Sequence, residues 1–533
     1  MTYKFNKYGI SILAVSIISI VLLNSVQNVW SFLSGACLFV EDGKVFINQA
    51  FEMGVKSIWI PYNGYLHIFP RILALIASNF DLSYVPFIFV IGWYLAYFSM
   101  AVTVADFLYL KKTDTYLILL VLLAIGFQPH SGETFFNITN AQWFLAIVLI
   151  IRILRDKYLS PTIVNFLALL LMGLTGPFSV FIIPLILLKI FLKKDIKANW
   201  FGYLVILMTA GVQICFMLNS PRLKGEFNKP IIVWLKSFYK FFTFGGHGIV
   251  TILSFFFWVI FFYFTLKSIR NKSELSDNFF KDGMLILFTT ALFYFAGIIG
   301  KKANPSIIIT PLGGGSRYFI IPYSLSVLSI PILIRPKNKV LILLLIFFLI
   351  SSLQFPEGLK FMKMRSDLNF QSYAWLSSKV NNIIIPIYPQ AEKFPGWYIA
   401  VNTSKSINSR SYKIPVHIKD VRKYKLTLRH KMNPGVPNNI PYFILKIPPK
   451  CLDSKHIGFE VNIFRENEGW AKIFLKKRGK NYNDGISHKR YYPAGKIKMQ
   501  LAYRNKSYNE LKFEPIEKSG ALKINAFSFI CEN

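Results

Sequence analysis

A train of long apolar runs that stops at Pro356 constrains this chain more than any other feature. A segment needs roughly 20 apolar residues to cross a hydrocarbon core of about 30 Å. Such a segment has to be helical, because lipid offers its backbone N–H and C=O groups no partners. Runs of this kind fall at 9–27, 84–108, 115–128, 141–156, 160–175, 177–192, 199–219, 248–268, 283–300, 317–334 and 338–354. The sequence therefore predicts a polytopic α-helical membrane domain of about 11 spans over residues 1–355. Past Pro356 the runs give way to Lys, Asn, Pro and Tyr, and a separate domain over 356–533 is expected.

Loop charge sets the expected orientation. Lys4 and Lys7 precede the first run and assign the N-terminus to the cytoplasm. Alternate connections are then short and basic: Lys111 with Lys112, Arg152 with Arg155 and Lys157, 189–197, 267–281, and Arg335 with Lys337 and Lys339. Eleven crossings that begin inside end outside, which makes residues 356–533 an exported, extracytoplasmic domain. Residues 65–80 resist the scheme, being apolar but short and holding Pro70 and Arg71. Counted as a crossing, they would invert every later loop. They are read as a helix on or dipping into the outer interface, where Arg71 snorkels; the alternative is a short twelfth crossing.

The chain is 53% hydrophobic and 16% charged, with a net charge of +35. No nucleic-acid partner is expected, because many of the basic residues sit between apolar runs, where they fix orientation. The basic tail would attract anionic lipid headgroups or charged polysaccharide, unless its lysines are a compositional bias without function. Cys37 follows the first run, but Ser34-Gly35-Ala36 lacks the aliphatic residue of a lipoprotein signal. Residues 9–27 are therefore read as an uncleaved helix.

Beyond Pro356, apolar and polar residues alternate at 442–447, 458–464, 470–475, 497–503 and 522–530. Period-two stretches bounded by Pro, Gly, Asn and Asp read as half-buried strands, here of a mostly β domain built as a sandwich. In an oxidising compartment Cys451 and Cys531, which flank predicted strands, are expected to pair.

Unusual polar residues collect on the side assigned as outer. They are Glu41, Asp42 and Asn48; Tyr62, Asn63, Tyr65, His67 and Arg71; His130, Glu133, Asn137 and Asn140; and Lys301, Lys302 and Gly313-Gly314-Gly315-Ser316-Arg317-Tyr318. The opposite loops read as basic and otherwise featureless. No phosphate loop or dinucleotide fingerprint is present, so no cofactor is expected, and the four cysteines show no metal spacing. Acids at a membrane boundary are costly in a dry setting, so Glu41 and Asp42 point to use; the plain alternative is a solvated loop pair. The rings, amide, imidazole and guanidinium of 61–71 suit sugar, or equally an aromatic belt. Glycines before a helix expose N–H groups to an anion, and Arg317 offers phosphate a bidentate fork; a flexible hinge is the alternative.

The first span, the acidic pair just after it, about eleven spans and an exported tail resemble the C-type glycosyltransferase superfold. The stretches Glu41-Asp42-Gly43-Lys44-Val45-Phe46, 61–67, 137–143 and 316–319 look like those of membrane proteins from surface-polysaccharide loci, and the nearest analogy is with O-antigen serotype-converting glucosyltransferases. The resemblance implies a sugar, glucose as the best guess, moved from a polyprenyl-phosphate carrier to a polysaccharide acceptor on the outer face of the bilayer. It makes Asp42 the general base, with Glu41 second. Arg317, Lys301, Lys302 and Tyr318 then bind the donor phosphate, and Tyr62, Asn63, Tyr65, His67, Glu133 and Asn140 bind sugar. The Trp-Trp-Asp motif of the oligosaccharyltransferase branch is absent, which speaks against en-bloc transfer to asparagine. A polymerase or ligase remains the second reading, followed by a flippase of lipid-linked glycan and a membrane acyltransferase.

Overall fold

Apolar helices dominate the first part of the chain and antiparallel strands the last in a computed structural model. It describes residues 7–27, 37–128, 134–155, 159–220, 230–244, 248–270, 277–299, 316–334 and parts of 342–349. Towards the C-terminus it describes 370–380, 383–387, 398–401, 411–416, 443–465, 469–477, 487–492, 495–504, 508–514 and 522–532. Two compact units emerge: 1–30 with 55–75 and 88–362, and 31–54 with 76–87 and 363–533.

The helices, in chain order, are α1 (Lys7–Gln27), α2 (Asn48–Met53), α3 (Ile68–Ala77), α4 (Val85–Leu110), α5 (Thr115–Gly126), α6 (Ala141–Leu154) and α7 (Ile163–Gly173). There follow α8 (Phe178–Phe181), α9 (Ile183–Lys193), α10 (Ile196–Leu218), α11 (Ile231–Phe242), α12 (Ile249–Arg270), α13 (Asp277–Ile299), α14 (Ile320–Leu333) and α15 (Phe370–Ser377). Among the described residues, five helical stretches are long and apolar enough to cross a membrane: Tyr8–Ser25, Leu82–Leu110, Ile196–Leu218, Ile249–Lys267 and Phe279–Ile299. Others of the predicted runs form shorter helices, and 177–192 is divided at Ile182 between α8 and α9. Most of the run 338–354 lies outside the described residues, as does the boundary at 356.

In the first unit, α11 has no counterpart among the predicted runs. Ile231, Leu235, Phe238 and Tyr239 are exposed along it while Ser237 and Phe241 are buried, and Lys236 and Lys240 interrupt the sequence. An amphipathic stripe of that kind is invisible to a search for unbroken apolar runs.

The loops read as merely basic are in fact joined to acids. Asp282, wholly buried near the start of α13, pairs with Lys111 and Lys193. Asp106 pairs with Arg155 and accepts a hydrogen bond from Tyr8. Lys189 donates to the carbonyls of Ile153 (2.6 Å) and Arg155 (3.1 Å), capping the end of α6, and pairs with Asp195 at 2.7 Å. Asp195 also accepts from Tyr203 and Asn199. Buried charge persists in an apolar setting only when it is paired and hydrogen-bonded. The three aspartates therefore turn a set of loop charges into a lattice that ties helix ends together.

At other helix ends, the break after α7 is held by a buried amide. Gln213 of α10 accepts from the Leu66 N–H (2.9 Å) and donates to the Gly176 carbonyl (2.9 Å). Gly176 N–H donates to Leu66 O, and Ile68 N–H to Leu174 O. Irregular backbone among apolar helices is tolerated where such partners replace water.

The second unit carries the strands β1 (Ile383–Pro386), β2 (Tyr398–Val401), β3 (Ser411–Val416), β4 (Phe443–Lys446), β5 (His456–Arg465), β6 (Gly469–Lys477), β7 (Ser487–Tyr492), β8 (Gly495–Arg504), β9 (Tyr508–Glu514) and β10 (Leu522–Glu532). They form a ribbon β1-β2 and two four-stranded antiparallel sheets, β3-β10-β5-β8 and β4-β9-β6-β7. Alternate residues Ile457, Phe459, Val461 and Ile463 of β5 join Ile473, Leu475, Leu511, Phe513 and Phe529 in one core, as the period-two pattern demands. All five predicted strands are present. A polar sequence concealed β7 (Ser487–Tyr492), whereas β1 and β2 are four-residue apolar strands too short to show alternation.

Cys451 and Cys531 form a disulfide across a sequence separation of 80. By the chain-entropy account, a loop of that length contributes about 4.5 kcal/mol. Denatured, non-reduced protein should resist alkylation at both positions, and the double Cys→Ser variant should unfold at a clearly lower denaturant midpoint. Cys37 and Cys215 are free thiols in either case, so alkylation of Cys451 and Cys531 themselves in denatured, non-reduced protein is the result that would contradict the bridge.

Candidate functional site

In the second unit the acidic pair follows a conformation that its sequence disfavours. Val40 has φ 34°, a left-handed backbone that a β-branched residue rarely adopts. The Asp42 N–H donates to Phe39 O at 2.8 Å and closes the turn. Asp42–Ile47 then continues as a π-helical turn leading into α2. Strained backbone and π-turns persist where surrounding structure over-determines them, and they cluster at functional sites. Glu41 is 5% exposed and Asp42 1% exposed, so the pair is not a solvated loop feature. Asn48, one turn on, is also buried. Lys44 is exposed, and its Nζ lies 5.5 Å from the ring centre of Tyr398 on β2.

In the first unit, residues 62–65 form a tight hairpin in which Tyr62 and Tyr65 exchange backbone hydrogen bonds of 3.0 and 3.3 Å. Asn63 (φ 54°) and Gly64 (φ 90°) occupy its two central positions, the pairing that a two-residue hairpin turn requires. Asn63, expected to bind sugar, also serves the turn through its backbone. A Cβ at Gly64 would come within 2.7 Å of Ser220 Oγ.

The hairpin delivers His67, which stacks on Tyr65 with ring centres 4.7 Å apart and has Tyr62 at 5.7 Å. Burial, and then the Arg71 guanidinium, hold the His67 imidazole neutral, pushing its pKa down to about 3; Arg317 acts in the same direction. Nδ1 donates to Tyr65 O (3.2 Å), so in the neutral ring Nε2 carries the lone pair. So weak a base serves as an acceptor and not as a proton carrier. Arg71 follows one helical turn after His67 on α3 and is 1% exposed. The first unit therefore brings together Tyr62, Tyr65, His67, Arg71 and Arg317, a cluster with two guanidinium groups acting on one neutral imidazole.

Arg317 and Tyr318 stand in a 3-10 turn, Ser316–Phe319, ahead of α14. Tyr318 meets the Trp143 ring edge-on at 5.2 Å. Trp143 in turn donates its indole N–H to Asn140 Oδ1 (3.2 Å), while Asn137 Oδ1 accepts the Asn140 N–H (3.0 Å). Asn140, expected to bind sugar, is wholly buried and helps to set the start of α6. Trp143 was not singled out from the sequence; its signal was the i, i+3 spacing from Asn140. Glu133, Lys301, Lys302, His130 and Gly313-Gly314-Gly315 lie outside the described residues.

Compared with models of known families, with curated proteins and with solved structures, the chain matches none of them.

Proposed function

We propose that this membrane protein is a glycosyltransferase that moves a hexose from a polyprenyl-phosphate carrier to a surface polysaccharide on the outer face of a bacterial inner membrane. The observation that carries the reading is the buried Glu41-Asp42 pair behind the left-handed Val40. A carboxylate held in a dry, strained turn is suited to take a proton, and costs stability when it has no task.

The step involves one bond made and one broken. An acceptor hydroxyl oxygen attacks the anomeric carbon, the bond from that carbon to the phosphate oxygen breaks, and polyprenyl phosphate leaves. Asp42 takes the hydroxyl proton. In the first unit, taken by itself, Arg71 and Arg317 are the cations suited to a phosphate, since fixed cations neutralise charge most effectively in a low-dielectric setting. The tyrosines of the hairpin offer stacking faces to sugar rings, and neutral His67 offers a hydrogen-bond acceptor to a hydroxyl. In this reading about eleven crossings leave the C-terminal domain in the periplasm, in keeping with its disulfide.

The test is genetic and chemical together. Deleting the gene should remove one hexose substituent from the surface polysaccharide while the chain-length ladder is kept, as read by glycan mass spectrometry and gel electrophoresis. Collapse of the ladder would instead identify a polymerase, and an unchanged glycan would contradict the assignment.

A further inference from the structure

We infer that the ribbon β1-β2 is a positioning element for the acidic pair, with Ile387 and Ile399 fixing the turn that presents Asp42. This rests on the reading of Asp42 as the general base. The residue after Asp42 is Gly43, which is buried and is not among the residues with positive φ. Its lack of a side chain is therefore a matter of space and not of backbone freedom. A Cβ built there would sit 2.5 Å from Ile387 Cδ1, 3.3 Å from Ile387 Cγ2 and 3.1 Å from Ile399 Cγ1. Ile387 and Ile399 are fully buried, so neither can swing into solvent to make room.

Three further observations lock the same contact. Ile399 pairs with Ile385, and Tyr398 with Pro386, so the ribbon's register sets where Ile399 stands, and Ile387 directly follows its last pair. Tyr398, next to Ile399, carries the Lys44 ammonium over its ring, so two successive residues of the acidic turn rest on two successive residues of β2. The left-handed Val40, three residues before Gly43, is a further backbone constraint on the same turn. A strand pair some 340 residues downstream in the chain thus acts on the chemistry of the first loop, about 340 being the separation of Gly43 from Ile387. Its isoleucines touch no substrate; they act through Asp42.

The experiment is a double-mutant cycle on the full-length protein. Gly43→Ala should lower kcat for transfer by roughly 10- to 100-fold with donor KM unchanged, because a displacement near 1 Å is enough for losses of that size. Ile387→Val removes the Cδ1 atom that the new methyl group meets, so Gly43→Ala with Ile387→Val should recover most of the lost kcat. A purely structural role would lower the yield of folded protein but leave kcat per folded molecule unchanged, and that result overturns the inference. So does a double variant no better than Gly43→Ala alone. A wild-type protein without transfer activity would count against the transferase reading instead. The contact is then judged by unfolding temperature, where the same pair must still show coupling and additive effects overturn the inference.

Discussion

Asp42→Asn is expected to lower the rate of sugar transfer by roughly 10²–10⁴-fold while leaving the affinity for the lipid donor in place. The amide keeps the shape and hydrogen bonding of the carboxylate but cannot accept the acceptor's proton. Asp42 is 1% exposed and stands at the start of a π-helical turn, so its replacement should alter chemistry more than surface. Glu41→Gln is the natural companion, since Glu41 is nearly as buried and shares the turn. Its loss should be milder if Glu41 binds hydroxyls or tunes its neighbour. Donor affinity is measured separately, by retention of polyprenyl-phosphate sugar on immobilised protein. An Asp42→Asn enzyme within about threefold of wild type would lie far below the effect of a missing base and would end the assignment.

Arg317→Lys should cost roughly 10- to 100-fold, the loss expected when a charge-assisted, bidentate phosphate contact becomes a point charge on a flexible stem. The position supports a role beyond folding. Arg317 stands in the 3-10 turn before α14, lies beside the Tyr318 ring, and acts on the same imidazole as Arg71. The variant keeps the charge, so its unfolding temperature should hardly move. The deficit should appear in kcat, because the phosphate gains charge as the glycosidic bond breaks. Near-normal turnover would assign Arg317 to anchoring the turn and leave Arg71 as the phosphate cation.

Much of the architecture could be read because it depends on one dominant effect at a time. Burial of unbroken apolar runs gave helices at 9–27, 84–108 and 199–219 close to the bounds of α1, α4 and α10. Alternation in 458–464 gave β5, since Phe459, Val461 and Ile463 must share one face. The Cys451–Cys531 pairing followed from compartment chemistry applied to residues flanking strands. Features that depend on two distant segments at once were not visible. Nothing in Asp106, Asp195 or Asp282 alone names Arg155, Lys189 or Lys111 as its partner. Residues 383–387 and 398–401 look like two unremarkable short apolar stretches until Gly43 is found against Ile387.

The candidate site divides in the same way. Glu41, Asp42, His67 and Arg317 stand out in the sequence as polar residues in an apolar chain; the first three are buried and Arg317 is half-buried. Asn63 reads as sugar chemistry, while the dipeptide Asn63-Gly64 is also the strongest short hairpin signal, and the left-handed φ of both residues fits the turn. The strain at Val40 has no sequence signature at all, because valine is the residue type least expected there.

The most direct measurement is transfer by the purified full-length protein in proteoliposomes, offered either a polyprenyl-phosphate hexose or the corresponding nucleotide sugar, with surface polysaccharide as acceptor. Label should pass to the polysaccharide from the lipid-linked sugar alone, with polyprenyl phosphate released in equal amount. Transfer from the nucleotide sugar without the lipid, or none from either donor by folded protein, would contradict the assignment.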